Sequence, residues 1–172
     1  ESIIITAGAW SKSLLGRDFE LGIKPVHGQM ICLKPVKPVL QQIVLDGGHY
    51  FIPRRDGHLL IGSTMENIGY SKIKTPAARE ELLNWAYSIW PDLISAKFVK
   101  HWSGLRPATN IEKPFIGPLP NFKNIYLNTG HFRKGILQAP ASAKLLVDTL
   151  AGNKSFMEIS KFSAVQPEPV SA

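Results

Sequence analysis

The chain has 172 residues, 44% of them hydrophobic, with a formal net charge of +7, 14 glycines, 13 prolines and one cysteine. That is enough apolar material for a buried core and for a single domain, while no apolar run is long enough to cross a bilayer and no signal-peptide pattern opens the sequence. The lone Cys32 excludes an intrachain disulfide, in keeping with a reducing cytoplasm, and the basic residues come in scattered pairs (Lys34/Lys37, Arg54/Arg55, Lys97/Lys100, Arg133/Lys134) without the dense run or zinc-finger spacing of a nucleic-acid binder.

The sequence starts without Met, on "SIIITAG", a β-branched apolar run closed by glycine. It reads as a buried strand entering a loop. Such a strand needs neighbours on both sides, and none precede it, so we expect a fragment whose upstream chain is missing. Ala9–Leu15 is expected as a short helix stopped near Gly16, and Ile23–Pro35 as a strand kinked at Gly28. Two apolar runs, Tyr50–Ile52 and Leu59–Ile61, flank Asp56-Gly57, a favoured type I′ pair, and predict a hairpin. Pro53 has no N–H to donate, which predicts an edge strand or a bulge at that point.

Pro76–Trp90 has the pattern of an amphipathic helix. Thr75 is a good N-cap, proline occupies the first turn, and Leu82, Leu83, Ala86, Tyr87 and Trp90 fall on one stripe. Pro91 ends it. "KFVKHWSGLRP", Phe115–Gly117 and "NIYLNTG" predict three more strands. A second helix runs from Lys134 or Gly135 to Leu150 and stops at Gly152. Past Phe162 the Pro/Ser/Glu/Val composition predicts a disordered tail. The sum is an α+β body with several antiparallel strands and two main helices, preceded by one strand that belongs elsewhere.

Three segments combine glycine with a polar group at the junction of two elements. Thr6–Trp10 takes a strand end into a helix, the place where α/β sheets bind ligands, though a plain tight turn reads the same. "NTGHFRKGI", Asn128–Ile136, is a strand, a glycine-bounded polar loop and a helix start. Free N–H groups there suit an anion or an electron-rich ring edge, and an ordinary connection has the same spacing. In "WSGLRPATNIEKPFIG", Arg106 stands before Pro107, which restricts its backbone. It is either a solvated or ion-paired strand residue or a carboxylate clamp, gripping two oxygens with parallel charge-assisted bonds. His27, His49, His58, His101 and His131 have no metal-ligand spacing, and no nucleophile elbow, G-x-G-x-x-G or P-loop is present.

Taken in order, "TAGAWS", "PVHGQM", "YFIPRRDGHLLIGSTM", "WSGLRPATNIEKPFIG" and "NIYLNTGHFRKGILQAPASAKLLVD" resemble the C-terminal half of the FAD-dependent amino-acid oxidases, the D-amino-acid oxidase superfamily. Within it they are most similar to the glycine oxidases of thiamine biosynthesis. The resemblance implies an antiparallel-sheet substrate domain flanked by helices. It also implies a terminal strand and helices that complete an FAD-binding domain whose N-terminal half is absent. The implied boundaries are 1–22 for the FAD domain, 23–107 for the substrate domain, 108–155 for the return to the FAD domain and 156–172 for a tail.

It further implies FAD as cofactor, no metal, and oxidation of a small amino acid with oxygen reduced to hydrogen peroxide. Arg106 matches the arginine that pairs with the substrate carboxylate, Tyr50 a tyrosine that helps position it, Met65 a pocket-lining methionine and Arg133 a second arginine near substrate and flavin. Gly8, Trp10, Gly130, His131, Arg133, Gly135, Ile136 and Leu137 fall where the family meets its flavin. No residue is implied as an acid–base catalyst. The pattern departs at Ile111-Glu112, where the family often has Asp-Gly, and at Gly48-His49, where glycine oxidases have their histidine one position earlier. A dehydrogenase passing electrons to a membrane acceptor, and a binding module inactive by itself, are the alternatives. Family members are often oligomers, so a homo-oligomer is also implied.

Overall fold

A computed structural model describes residues 1–16, 19–38 and 40–164. Among the described residues no helix is long and apolar enough to cross a membrane. The chain divides into two compact units. Glu1–Pro25 joins the chain from Arg106 onward in one, and Val26–Leu105 forms the other.

In the first unit, β1 (Ile3–Ile5) leads through a 3-10 turn at Gly8–Trp10 into α1 (Ser11–Leu14). The unit is completed by β7 (Phe115–Pro118), β8 (Ile125–Thr129) and α3 (Gly135–Leu150). The sheet order is β1-β8-β7, with β1 parallel to β8 and β7 antiparallel to it. The opening strand thus finds its partner about 120 residues downstream, through Ile3↔Ile125 and Ile5↔Leu127. The core gathers Ile5, Phe19, Leu21, Ile23, Phe115, Leu119, Leu127 and Ala164. A satellite joins Ile116, Leu145 and Leu146 to Ile159 and Phe162.

The C-terminus of α3 is a Schellman motif. Asn153 N–H donates to Asp148 O at 2.8 Å and Gly152 N–H to Thr149 O at 3.3 Å, with Gly152 at φ +68°. Beyond it the chain does not run off at once as a tail. A 3-10 turn at Ile159–Phe162 packs on β7, Gly117 makes room for the Ile159 side chain, and Ala164 is buried. Of these anchoring residues only Ala164 lies past Phe162, where the composition predicts a disordered tail. The rest of the expected tail, 165–172, lies outside the described residues.

The second unit is built on a five-stranded sheet in the order β3-β4-β5-β2-β6. The strands are β2 (Ile23–Lys34), β3 (Val44–Asp46), β4 (His49–Pro53), β5 (Leu59–Gly62) and β6 (Lys97–Thr109). β2 enters this unit from the first and β6 leaves it again. α2 (Pro76–Ile89) starts as the sequence predicts, with Thr75 Oγ1 accepting the Ala78 N–H at 3.3 Å and proline in the first turn. Its Leu82 and Ala86 lie over the row Ile31–Ile61–Phe51, and all five side chains are fully buried. Burial of each large side chain here contributes about 1.5–3 kcal/mol.

Two turn expectations need correction. Asp56-Gly57 is not a type I′ pair, because of the two only Gly57 has positive φ, at +83°. Gly57 N–H donates to Arg54 O and Arg54 N–H to His58 O, so the connection is a three-residue loop ending in a left-handed glycine. Asp56 holds the turn instead by accepting the His58 N–H at 3.1 Å. The two-residue turn with both residues at positive φ is at Gly47-Gly48, +54° and +91°, joining β3 to β4 in the register Asp46↔His49. That also makes β4 an interior strand. Pro53 is tolerated because β3 pairs with β4 only as far as Phe51, so no donor is required further along.

Candidate functional site

The first unit brings most of the sequence-predicted cofactor residues to one end of its sheet. β1 and β8 run parallel, so their carboxyl ends point the same way, and the loops that follow them meet. Thr129 Oγ1 lies 2.8 Å from Ser11 Oγ and donates to Gly8 O at 3.3 Å, tying the end of β8 to the turn after β1. Gly8 has φ +56°, and a Cβ built there meets nothing within 4 Å. Trp10 beside it is 41% exposed. Gly130 follows Thr129 at φ +83°, and a Cβ there would lie 2.4 Å from the Thr109 methyl.

The loop that follows is strained and held. Phe132 has φ +50°, rare for an aromatic residue, and its N–H donates to Pro107 O at 3.0 Å. Arg106 and Arg133 therefore stand one residue to either side of a shared backbone bond. Arg106 is half-buried near the end of β6, and Arg133 is exposed. His131 is engaged through Nε2 with Ser142 Oγ at 2.8 Å, and burial pushes its imidazole below the ordinary value of 6.5, keeping it neutral at pH 7. What His131 can offer a ligand is its backbone.

α3 begins with no side-chain cap and no acidic residue in its first turn. Its N-terminal N–H groups keep their partial positive charge for something outside the helix. Ile136 and Leu137 in that turn are 97% and 83% exposed, although both are apolar. A flat ring with an electron-rich edge matches this combination of uncapped amides, apolar cover and side-chain-free glycines, so the residues present fit a flavin.

The second unit holds Tyr50 and Met65. Tyr50 is half-buried on β4, on the face opposite Phe51 and α2. It shares one row of the sheet with Gly62 and Met30, and its hydroxyl lies 3.8 Å from Met30 Sδ. A Cβ on Gly62 would come within 2.9 Å of Met30 Cγ and 3.2 Å of the Tyr50 hydroxyl, so glycine leaves room for both side chains. The sequence reading passed over Met30 and Gly62, although a glycine closing a strand signals close approach. His49 stacks on Trp85 at 5.2 Å between centroids and reaches Glu81 at 3.1 Å. It therefore points away from the Tyr50 face of the sheet. Met65 is 58% exposed, three residues beyond Gly62.

Glu112, at the departure just after "RPATN", has φ +56°. It takes the left-handed conformation that favours glycine, while Thr109 Oγ1 donates to Lys113 O at 2.6 Å and closes the turn. The turn survives at the cost of backbone strain. Among the described residues no three His, Cys, Asp or Glu side chains group so as to hold a metal ion.

Most of the chain matches known proteins. A family model described as DAO, FAD dependent oxidoreductase, matches residues 1–149. The glycine oxidase of Pseudomonas aeruginosa is 43% identical over 164 residues, which are 95% of this chain and 45% of that protein. The bifunctional protein ThiO/ThiG of Trichormus variabilis is 35% identical over 166 residues, 94% of this chain and 25% of its own length. Among solved structures, glycine oxidase from Geobacillus kaustophilus matches with a TM-score of 0.91 at 29% identity, covering 98% of this chain and 46% of that one. The chain spans about half the length of the glycine oxidases it matches.

Proposed function

Because the chain belongs to the DAO family of FAD dependent oxidoreductases, we propose that it is the flavin-covering and substrate-binding part of an enzyme oxidising the amine of a small amino acid such as glycine. The amine becomes an imine that water hydrolyses to the oxo acid, and oxygen takes up the two electrons as hydrogen peroxide. FAD, when bound, supplies the redox chemistry. Gly8, Trp10 and the backbone from Gly130 through Leu137 would hold it, with the α3 N-terminus favouring negative charge on the ring.

The residues of this chain act as positioners. Arg106 grips the substrate carboxylate with its planar fork, Tyr50 steadies the same group through its hydroxyl, Met65 lines the pocket, and Arg133 adds positive charge near substrate and flavin. The observation that supports the reading is the Phe132–Pro107 backbone bond, which ties together the backbone positions next to Arg106 and Arg133. We also propose that the 172 residues alone turn over no amine, since they match less than half of each glycine oxidase.

The test is kcat/KM for glycine in the complete flavoprotein carrying Arg106→Ala or Arg106→Lys. Losing the clamp should cost on the order of 2–5 kcal/mol for alanine. Lysine keeps the charge without the fork and should fall between alanine and the parent. An unchanged kcat/KM in Arg106→Ala refutes the clamp. Peroxide formed per amine consumed is expected near one, and a value near zero would favour a membrane electron acceptor.

A further inference from the structure

Met65 is exposed, yet both of its neighbours are fastened. On one side Thr64 N–H donates to Gln29 O at 3.3 Å, and Gln29 N–H donates back to Thr64 Oγ1 at 2.9 Å. On the other, Glu66 and His27 exchange two backbone bonds of 2.9 Å each. The side chains repeat the pattern. Glu66 Oε1 accepts from the Thr64 hydroxyl at 2.7 Å and from Gln29 Nε2 at 3.0 Å, and the buried His27 Nδ1 stands 3.4 Å away. Burial opposes the Glu66 charge, but the hydrogen bonds from Gln29 and Thr64, with His27 beside them, more than offset it and hold the carboxyl below its usual value.

Gln29 is the hub. Its side chain is fully buried, and each end of its amide is committed. Nε2 donates to Glu66 and to Thr75 Oγ1 at 3.1 Å, while Oε1 accepts the Thr75 N–H at 2.9 Å. Thr75 is the N-cap of α2. One carboxamide thus bolts the Thr64–Glu66 arm to both β2 and the start of α2. The part of this network centred on the fully buried Gln29 amide resists rearrangement, because breaking its bonds strands that amide away from water.

We propose that Gln29 is a positioning residue for substrate selection, acting through Met65. The amide fixes the arm, the arm fixes where the Met65 side chain stands, and Met65 sets how large an amine the pocket admits. This rests on the reading that Met65 faces the substrate.

The experiment is a double-mutant cycle in the complete flavoenzyme, measuring kcat and KM for glycine and for the bulkier sarcosine. Met65→Ala is expected to change the sarcosine-to-glycine ratio of kcat/KM. Gln29→Leu, which keeps volume but removes the amide, is expected to change that ratio by about fivefold or more, the scale of coupling within one hydrogen-bond network, through KM and with kcat for glycine little altered. In the Met65→Ala background Gln29→Leu should add nothing. If it adds its full effect there, or leaves the ratio unchanged in the parent, the proposal is wrong. If Gln29→Leu does not fold, Thr64→Val carries the same two expectations and the same two refutations. Should Met65→Ala itself leave the ratio unchanged, the placement of Met65 at the substrate fails, and the proposal fails with it. A Met65 effect without a Gln29 or Thr64 effect overturns the proposal alone.

Discussion

Replacing Gly130 by alanine tests how the loop at the end of β8 is built. Two costs add. Gly130 sits at φ +83°, where an L residue loses about 1–2 kcal/mol. The new methyl would also lie 2.4 Å from Thr109 Cγ2. That methyl cannot swing aside freely, because Thr109 is buried and its hydroxyl is held by Lys113 O at 2.6 Å. Overpacking of this kind costs about 1–3 kcal/mol, so the sum is about 2–5 kcal/mol. Thr109→Ser removes the clashing methyl and keeps the hydroxyl. By itself it should cost about 0.8 kcal/mol, one buried methyl, but combined with Gly130→Ala it should recover the steric part and leave the backbone part. Urea unfolding of the complete flavoprotein reads each difference. A Gly130→Ala loss below about 0.5 kcal/mol, or one that Thr109→Ser does not reduce, would refute the reasoning.

Glu112→Gly should stabilise by about 0.5–1 kcal/mol, since it relieves a left-handed glutamate at φ +56° at the expense of some unfolded-state entropy; a lowered thermal midpoint would contradict this. Acid should weaken the fold through two histidines whose pKa values lie below 6.5, His101 by burial with Lys74 and Arg79 adding, and His131 by burial. For a base with a lowered folded pKa the unfolded chain takes up the proton first. Their contribution is therefore complete above about pH 6.5 and is lost as pH falls through the folded values. Thermal midpoints measured from about pH 7.5 down to 5.5 should decline, and His101→Gln should flatten the decline; an identical slope in the variant would remove His101 from the account.

The regular elements were legible because their signals are local. Thr75 followed by Pro76 and an apolar stripe specifies α2 without knowledge of what it packs on, and Gly152 marks the stop of α3 in the same way. The site residues of the first unit were legible as glycine-bounded junctions, but their convergence was not. It depends on the parallel pairing of β1 with β8, a contact spanning most of the chain. The turn error has the same origin. Asp-Gly and Gly-Gly are both hairpin signals, and which one turns in two residues is decided by the registers of β3 on β4 and of β4 on β5. The Gln29 network escaped because its members are scattered over nearly fifty residues of sequence, and each alone reads as an ordinary strand or loop polar residue.

The passage of the chain through β2 and β6 has an evolutionary consequence. These strands are neighbours in the sheet, and between them they carry the chain into and out of the Val26–Leu105 unit. A segment whose entry and exit lie side by side can be exchanged without reopening its host, because the break to be rejoined spans roughly one inter-strand spacing of about 5 Å. Recombination could thus trade one such cassette for another between relatives while the loops after β1 and β8 stay as they are. The recipient would need only two matched seams, one in β2 near Pro25 and one in β6 near Arg106.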